Sequence, residues 1–538
     1  MPLISAVFLA FMLPYGAAFI NAFKGRGVIT VFENSALLHI TLFTAKQAFL
    51  SVLLSLAIGL PGAWILGTSR SRFTPLFRTL TAIPFAMPSI LAVLGFVLFF
   101  GNSGWANRFL AIFFGEGPLR ILYKPEAIIL AHGFFNFPLV IRLAGDGLAR
   151  AKGAYASAAS VLGAPPFMTA LTVILPLSIP SVMSAALLVF LYSFTSFAIV
   201  LVLGGGPAST TLAVEIYRHA KIFLNYRNAG ALAIVETLIA VSVFFTYIFF
   251  GKKSGEIKVG TEKRILETGE KRLSSRIIML LYGVLIGIFI LGPLLSVLME
   301  SILYRSSRSA PAVLSLRWWT NTGAASMSDT FLPALFRSLF LAFFSAAFSC
   351  LLAISGALSV RIIEENESEN GRSRVAANII RFFASAPIIS SGIVMGLGWL
   401  IVYGGNLSPW AMVLLHGIFS LPFTFNFISE GFRSMPANIL NAALISGANP
   451  LRGLLSTALP LSLPQLRSAW GFAAALSLGE LNAVMMLGME NWETLPLYIY
   501  RAAGAYRYGT ACAAGTLLIL GCGVCLFLSE SGRSKHGA

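Results

Sequence analysis

Charged side chains are scarce in this chain of 538 residues. Asp, Glu, Lys and Arg together make up 11% of it, whereas hydrophobic residues make up 57%. Soluble globular domains carry about 25% charged residues, so the composition excludes a water-soluble domain. It is typical of a protein that crosses a membrane several times.

Cysteine is also scarce, and all four cysteines fall in apolar runs: Cys350, Cys512, Cys522 and Cys525. This placement predicts neither a disulfide framework nor a zinc site. The Gly-rich stretches at 204–207 and 251–254 lack the glycine, lysine and hydroxyl spacing of a nucleotide-binding loop. The sequence therefore predicts a non-catalytic chain that binds no cofactor or metal of its own.

Acidic residues are fewer than basic ones, 21 against 38, which makes the formal net charge +17. Between apolar spans, basic residues mark cytoplasmic loops and lipid headgroups rather than nucleic acid. Placing the N-terminus inside puts the larger share of Lys and Arg in cytoplasmic loops. This predicts that both chain ends are cytoplasmic.

Long apolar runs are abundant. A span needs about 20 apolar residues to cross about 30 Å of hydrocarbon. The first run, from about Ala6 to Phe23, has no basic residue ahead of it and is therefore interpreted as a span rather than a signal peptide. Eleven further runs centre near residues 52, 90, 134, 189, 240, 287, 347, 390, 418, 475 and 518.

The predicted fold is thus an all-α polytopic membrane protein with about 12 spans in two tandem halves of six. Residues 251–276 carry eight Lys or Arg and four Glu, which predicts a solvated cytoplasmic linker. The first half then covers 1–250 and the second half covers 277–538.

A stretch at 157–176 recurs at 441–460, displaced by 284 residues. In both copies an Ala-Ala pair precedes a Gly, and a Leu-Pro follows at the same interval. Small residues let a short helix approach another surface, the Gly ends that helix, and the Pro begins the next. The residues concerned are Ser157, Ala158, Ala159, Gly163 and Pro176 in the first copy and Asn441, Ala442, Ala443, Gly447 and Pro460 in the second.

This pattern resembles the E-A-A-x-x-x-G-(x9)-I-x-L-P motif of the permease subunits of ABC importers, with Ser157 and Asn441 at the acidic position. In that family the segment docks into a cleft of the ATP-hydrolysing subunit. The resemblance implies two MetI-like halves of a type I importer in a bacterial inner membrane. It also implies a homodimeric ATPase that holds ATP and Mg, and a periplasmic or lipid-anchored substrate-binding protein.

Three longer stretches, at 130–138, 194–211 and 494–500, look like the thiamine permeases of this class. The resemblance implies import of thiamine or thiamine phosphates. Ferric-iron permeases are similar too, so iron is an alternative cargo. A 12-span secondary transporter is a further alternative, and it would need ion-coupling acids deep in several spans.

Glu480 is the ionisable residue singled out for the substrate pathway. It is equivalent to Ser196 in the first half, and an acid at membrane depth costs about 2.5 to 3.5 kcal/mol unless it has a partner. Its carboxylate either offsets the positive thiazolium ring of thiamine or forms a structural hydrogen bond near the helix end. The recurring His132 and His416 are predicted to pack or hydrogen-bond rather than to bind metal. The other pathway candidates are Ser477, Ser193, Ser196, Tyr192, Phe135 and Asn136, whose aromatic members suit a flat cation.

Overall fold

The structure, a computed structural model, describes residues 2–23, 33–68, 77, 81, 84, 87–115, 119–152, 155, 157–204, 206, 209–255, 273–305, 312–320, 330–365, 371–404, 407–435, 453–488 and 492–533. Within these ranges, ten helices are long and apolar enough to cross a membrane. A bent helix pair raises that number to eleven if it is counted as one span. The predicted all-α membrane fold is confirmed.

Helices α1 to α12 belong to the first sequence half. They are α1 (Pro2–Val7), α2 (Leu13–Phe23), α3 (Ser35–Thr68), α4 (Ser89–Phe100), α5 (Trp105–Phe114), α6 (Pro125–Ala151), α7 (Ser157–Val161), α8 (Pro166–Thr169), α9 (Leu175–Phe194), α10 (Ala198–Leu203), α11 (Leu212–Tyr217) and α12 (Tyr226–Gly255). Short π-helical turns join α1 to α2 and α8 to α9, and another follows α11. These turns are Phe8–Met12, Ala170–Ile174 and Arg218–Ile222.

The second half begins with α13 and includes one small antiparallel strand pair. Its elements are α13 (Leu273–Ile302), β1 (Leu303–Tyr304), β2 (Val313–Leu314), α14 (Arg317–Thr320), α15 (Phe331–Glu365), α16 (Gly371–Ser385), α17 (Gly392–Tyr403), α18 (Pro409–Ser434), α19 (Leu459–Leu461), α20 (Leu463–Gly479), α21 (Asn482–Leu487), α22 (Leu495–Gly504) and α23 (Tyr508–Arg533). In the strand pair Leu303 faces Leu314 and Tyr304 faces Val313.

The chain forms two compact units that do not follow the sequence halves at 1–250 and 277–538. One unit consists of Met1–Gly27, Ile216–Ala233 and Leu298–Ala538, and the other of Val28–Glu215 and Ile234–Val297. The first helices of the chain therefore belong to the unit that holds most of the second half. Most of α13 belongs to the unit built from the first half. Residues 256–272 of the predicted linker lie outside the described residues.

In the unit built mainly from the first half, α13 packs against α4 through a glycine. A β-carbon at Gly95 would lie 2.7 Å from the carbonyl oxygen of Pro293. The ring of Phe96 lies 6.3 Å from that of Phe289, centroid to centroid. Because Gly95 has no side chain, the two backbones can approach this closely, as is common between membrane helices.

The other unit repeats this arrangement with α2 and α17. Upstream of the segments described above, the two halves correspond at an offset of 303 residues, which pairs Gly95 with Gly398. A β-carbon at Gly398 would lie directly against the carbonyl oxygen of Pro14. The indole Nε1 of Trp399 donates to the carbonyl oxygen of Ala10 at 2.8 Å. In each unit, then, the first span of one half packs on the third span of the other half.

Several predicted spans are broken. The span predicted near 390 is the bent pair, in which Arg374–Ile389 and Gly392–Tyr403 meet at 102°. The span predicted near 475 is the 17-residue helix α20, which ends at Gly479 and is followed by α21 from Asn482. In the first half, α9 likewise ends at Phe194 and α10 begins at Ala198. Such breaks at membrane depth are tolerated where protein or a cavity surrounds them.

Candidate functional site

The segment at 157–176 folds as a short helix that ends at a glycine. The amide of Leu162 donates to the carbonyl of Ala158 at 3.2 Å, and the amide of Ala164 donates to that of Ala159 at 3.0 Å. Gly163 has a φ of +79°. That left-handed conformation favours glycine at the end of a helix, so the helix end predicted at this residue is confirmed. Pro176 lies inside a helix that runs without interruption from Pro166 to Phe194 through the π-helical turn, so the prediction that it begins the next helix is wrong; Pro166 has that place.

This segment presents an exposed apolar surface, here called the apolar turn and defined by Val161, Leu162, Phe167 and Met168. These side chains are 85%, 87%, 75% and 53% exposed. Ala158 is exposed and Ala159 half-buried. A β-carbon at Gly163 would meet no atom within 4 Å. Packing within this chain therefore does not require a glycine, and the exposed apolar cluster is a candidate interaction site.

The second copy of the segment is described only in its last part. Asn441, Ala442, Ala443 and Gly447 lie outside the described residues. Pro460 is exposed in α19 and follows a π-helical turn at Leu454–Ala458. The first copy has its own π-helical turn at the equivalent residues, Ala170–Ile174. The internal repeat therefore extends to local backbone geometry.

Buried polar side chains meet at the end of α9, just before its break. The side-chain amide of Gln47 donates to the backbone carbonyl of Ser193 at 2.9 Å. The side-chain amide of Asn136 donates to the hydroxyl of the same serine at 3.1 Å. All three side chains are buried. These two bonds connect the last turn of α9 to α3 and α6.

The equivalent serine of the second half has a different partner. Nδ1 of His416 lies 2.9 Å from the hydroxyl of Ser477, whereas Nδ1 of His132 lies 3.3 Å from the hydroxyl of Ser51. The predicted hydrogen-bonding role of both histidines is thus confirmed. The two halves differ because Asn136 is replaced by Ser420, whose hydroxyl donates to a carbonyl of its own helix, that of Gly417.

Glu480 lies at the break between α20 and α21. Its Oε1 accepts a hydrogen bond from the amide of Ala483 at 3.0 Å. A β-carbon at Gly392, the first residue of α17, would lie 3.0 Å from the same oxygen. The structural hydrogen bond predicted for this residue is therefore present, and the carboxylate also lies against the start of α17. Ser196 occupies the equivalent break of the first half and is half-buried.

Of the predicted pathway residues, Asn136 and Ser193 are bonded to each other. The ring of Phe135 lies 5.6 Å from that of Phe134. Tyr192 is half-buried in the last turn of α9. The sequence reasoning missed Gln47, although a Gln within a long apolar run was the available signal.

A tyrosine pair was missed as well. Tyr217 and Tyr500 each follow an isoleucine and lie in the same compact unit. Burial raises the pKa of the Tyr500 hydroxyl, and the nearby Tyr217 adds to the rise. The two hydroxyl groups are therefore close enough to influence each other, and the Ile-Tyr pair that occurs at both places was the available signal.

These features together are typical of a transport permease. They are the two sequence repeats of membrane helices, the helix breaks lined by polar side chains and the exposed apolar turn. Residues 59–251 and 368–530 match the family described as binding-protein-dependent transport system inner membrane component. The chain belongs to this family and is a multi-pass inner-membrane protein.

Three curated relatives show the range of the similarity. The thiamine transport system permease protein ThiP of Escherichia coli (strain K12) is 26% identical over 509 residues, which cover 92% of this chain and 89% of the relative. The protein of the same name from Brucella abortus (strain 2308) is 29% identical over 513 residues, 92% of this chain and 87% of the relative. A putative 2-aminoethylphosphonate transport system permease protein, PhnV of Salmonella typhimurium, is 29% identical over 224 residues, 40% of this chain and 79% of the relative.

Proposed function

We propose that this chain is the permease subunit of an ATP-driven importer of thiamine or thiamine phosphates. The observation that carries the proposal is the similarity to thiamine permeases, which covers 92% of this chain and 89% of the E. coli relative. The similarity to the aminoethylphosphonate permease covers 40% of this chain. The stretches at 130–138, 194–211 and 494–500 also support thiamine as the cargo.

The apolar turn is the contact with a separate ATPase. Its four large apolar side chains are more than half exposed, and burying one such side chain contributes about 1.5 to 3 kcal/mol. One copy of a homodimeric ATPase binds the apolar turn, and the other binds the segment that contains Asn441, Ala442, Ala443 and Gly447. ATP and Mg are held by that partner, and this chain has no catalytic role.

This contact determines the orientation in the membrane. ATP is cytoplasmic, so the apolar turn and both chain ends lie on the cytoplasmic side. A substrate-binding protein, periplasmic or lipid-anchored, delivers its ligand at the opposite face. Closure of the ATPase dimer shifts the permease between inward-open and outward-open states. The free energy of ATP binding and hydrolysis reaches this chain through a contact that differs between the two states.

The helix breaks contribute the polar lining of the pathway. The carboxylate of Glu480 offsets the positive charge of the thiazolium ring, an interaction that is stronger at low dielectric than in water. The bonds from Gln47 and Asn136 hold Ser193 in place beside the break of the first half. Tyr217 and Tyr500 supply aromatic faces that suit a flat cation.

The test is uptake into proteoliposomes that contain this permease, its ATPase and its binding protein. Labelled thiamine and labelled ferric iron are supplied outside, with ATP or a non-hydrolysable analogue inside. We expect thiamine uptake that requires ATP hydrolysis. Uptake of iron instead would overturn the cargo, and thiamine uptake that is indifferent to ATP would overturn the importer mechanism.

A further inference from the structure

Helix α5, Trp105–Phe114, carries an apolar face that the described residues of its unit leave exposed. Phe109, Ile112 and Phe113 are 62%, 74% and 68% exposed. Their spacing places them on one side of the helix. Phe114, at the end of the helix, is 75% exposed. In water such a face would leave several large side chains unburied, so a covering surface is needed.

The opposite face of α5 is held by one buried amide. The side-chain nitrogen of Asn107 donates to the carbonyls of Gly101 and Leu119, each at 2.8 Å, and its oxygen accepts from the amide of Leu119 at 2.9 Å. Asn107 is 2% exposed. Gly101 precedes α5 and Leu119 follows it, so these bonds tie the helix to the chain on both sides. The orientation of α5 is therefore fixed by hydrogen bonds within the protein.

The charge on α5 favours a bilayer as the covering surface. The single charged side chain of the helix is Arg108, whose guanidinium carbon lies 5.9 Å from the ring centroid of Trp105. Arg beside Trp on an apolar helix is typical of the membrane interface, where the cation reaches headgroup phosphates and the indole lies just below them. In addition, α4 and α5 together, Ser89–Phe114, are apolar enough to count as one membrane span of 26 residues.

The second half has no counterpart of α5. Helix α17, which is equivalent to α4, ends at Tyr403 and is capped by Gly404, and α18 begins at Pro409. The additional residues of the first half include α5, which precedes α6 and therefore lies at the end of α6 opposite to the apolar turn.

We propose that the face of α5 formed by Phe109, Ile112 and Phe113 lies in membrane lipid, with Arg108 at the lipid phosphates; that this is the outer leaflet rests on the orientation given by the proposed function. This surface anchors the outer end of the first half at a fixed depth. It is an amphipathic lipid contact of the kind that scales with buried apolar area. A binding-protein contact would instead cover this face from the aqueous side.

The test measures the depth of α5 in reconstituted nanodiscs of phosphatidylethanolamine and phosphatidylglycerol. Phe113→Cys and Ile112→Cys are made in a full-length chain whose four native cysteines are replaced, and each is spin-labelled. Accessibility to oxygen, which partitions into lipid, is compared with accessibility to a water-soluble nickel complex. Leu285→Cys, at a 67% exposed position in the span of α13, is the lipid control, and Tyr506→Cys, at an 81% exposed position before α23, is the water control.

We expect both α5 positions to match the high ratio of oxygen to nickel accessibility found at Leu285→Cys. A ratio matching Tyr506→Cys would overturn the proposal. A ratio that rises only after the binding protein is added would also overturn it, because the covering surface would then be a protein. Uptake assays on the same variants measure transport separately. If the protein proved not to transport thiamine, the accessibility ratios at α5 would still show whether this face lies in lipid.

Discussion

Gly163→Ala is the most informative single substitution in the apolar turn. Gly163 has a φ of +79°, and a β-carbon there would meet no atom within 4 Å. The cost inside this chain is therefore conformational, about 1 to 2 kcal/mol for an L-residue in the left-handed region. That cost lowers the equilibrium constant for forming the native turn by about 5-fold to 30-fold.

Gly404→Ala is the matched control. Gly404 has a φ of +77° and equally open space around its α-carbon, but it lies at the end of α17 outside the apolar turn. Both variants carry a comparable backbone strain, so any difference between them reports what the turn does. Both should lower the thermal unfolding midpoint slightly and to the same extent, because they carry the same conformational cost.

The assay measures ATP hydrolysed and thiamine taken up in the same proteoliposomes. Gly163→Ala should lower uptake per ATP, by at most the factor of about 5-fold to 30-fold by which the equilibrium constant of the native turn falls. Gly404→Ala should leave the ratio unchanged. Normal coupling in Gly163→Ala, or equal loss in both variants, would refute the assignment of the turn to the ATPase contact.

Three further predictions concern the apolar turn and the pathway. Leu162→Ser should leave folding unchanged, because the side chain is 87% exposed, but it should weaken ATPase binding by about 1.5 to 3 kcal/mol. Binding is measured by titrating the ATPase onto the permease in nanodiscs, and an unchanged affinity would contradict the prediction. Asn136→Ala removes the donor to the Ser193 hydroxyl and should destabilise the permease by about 0.6 to 1.7 kcal/mol. Thermal melting in detergent measures this, and an unchanged midpoint would show that the hydrogen bond contributes nothing to stability. Glu480→Gln keeps an oxygen acceptor for the Ala483 amide and should raise the KM for thiamine without lowering the unfolding midpoint; an unchanged KM would leave the side chain a structural role alone.

Composition and the internal repeat were sufficient to predict the class of fold and some local features. Low charge and long apolar runs determine a helical membrane protein because every backbone polar group must be paired in hydrocarbon. The turn at Gly163 was also predictable, since a helix end that needs a positive φ selects glycine. The hydrogen-bonding role of His132 and His416 followed from their recurrence.

The candidate pathway was less predictable. Ser193 and Ser477 are equivalent in the repeat, yet one is bonded by Asn136 and the other by His416. A repeat in sequence shows which positions correspond but not which side chains reach each other. Gln47 was overlooked because a single polar residue in an apolar run has no periodic signal.

The sequence by itself determined the class of protein, the two repeats and the local turn that the proposed ATPase contact requires. Tertiary structure decided that α2 packs on α17 and that α13 packs on α4, so that each compact unit combines helices of both sequence halves. The physical reason is that all membrane helices are similarly apolar, and hydrophobicity therefore does not select their partners. The partners are selected by close approach of the helix backbones at small residues such as Gly95 and Gly398. This fit between two helix surfaces exists only in the folded protein.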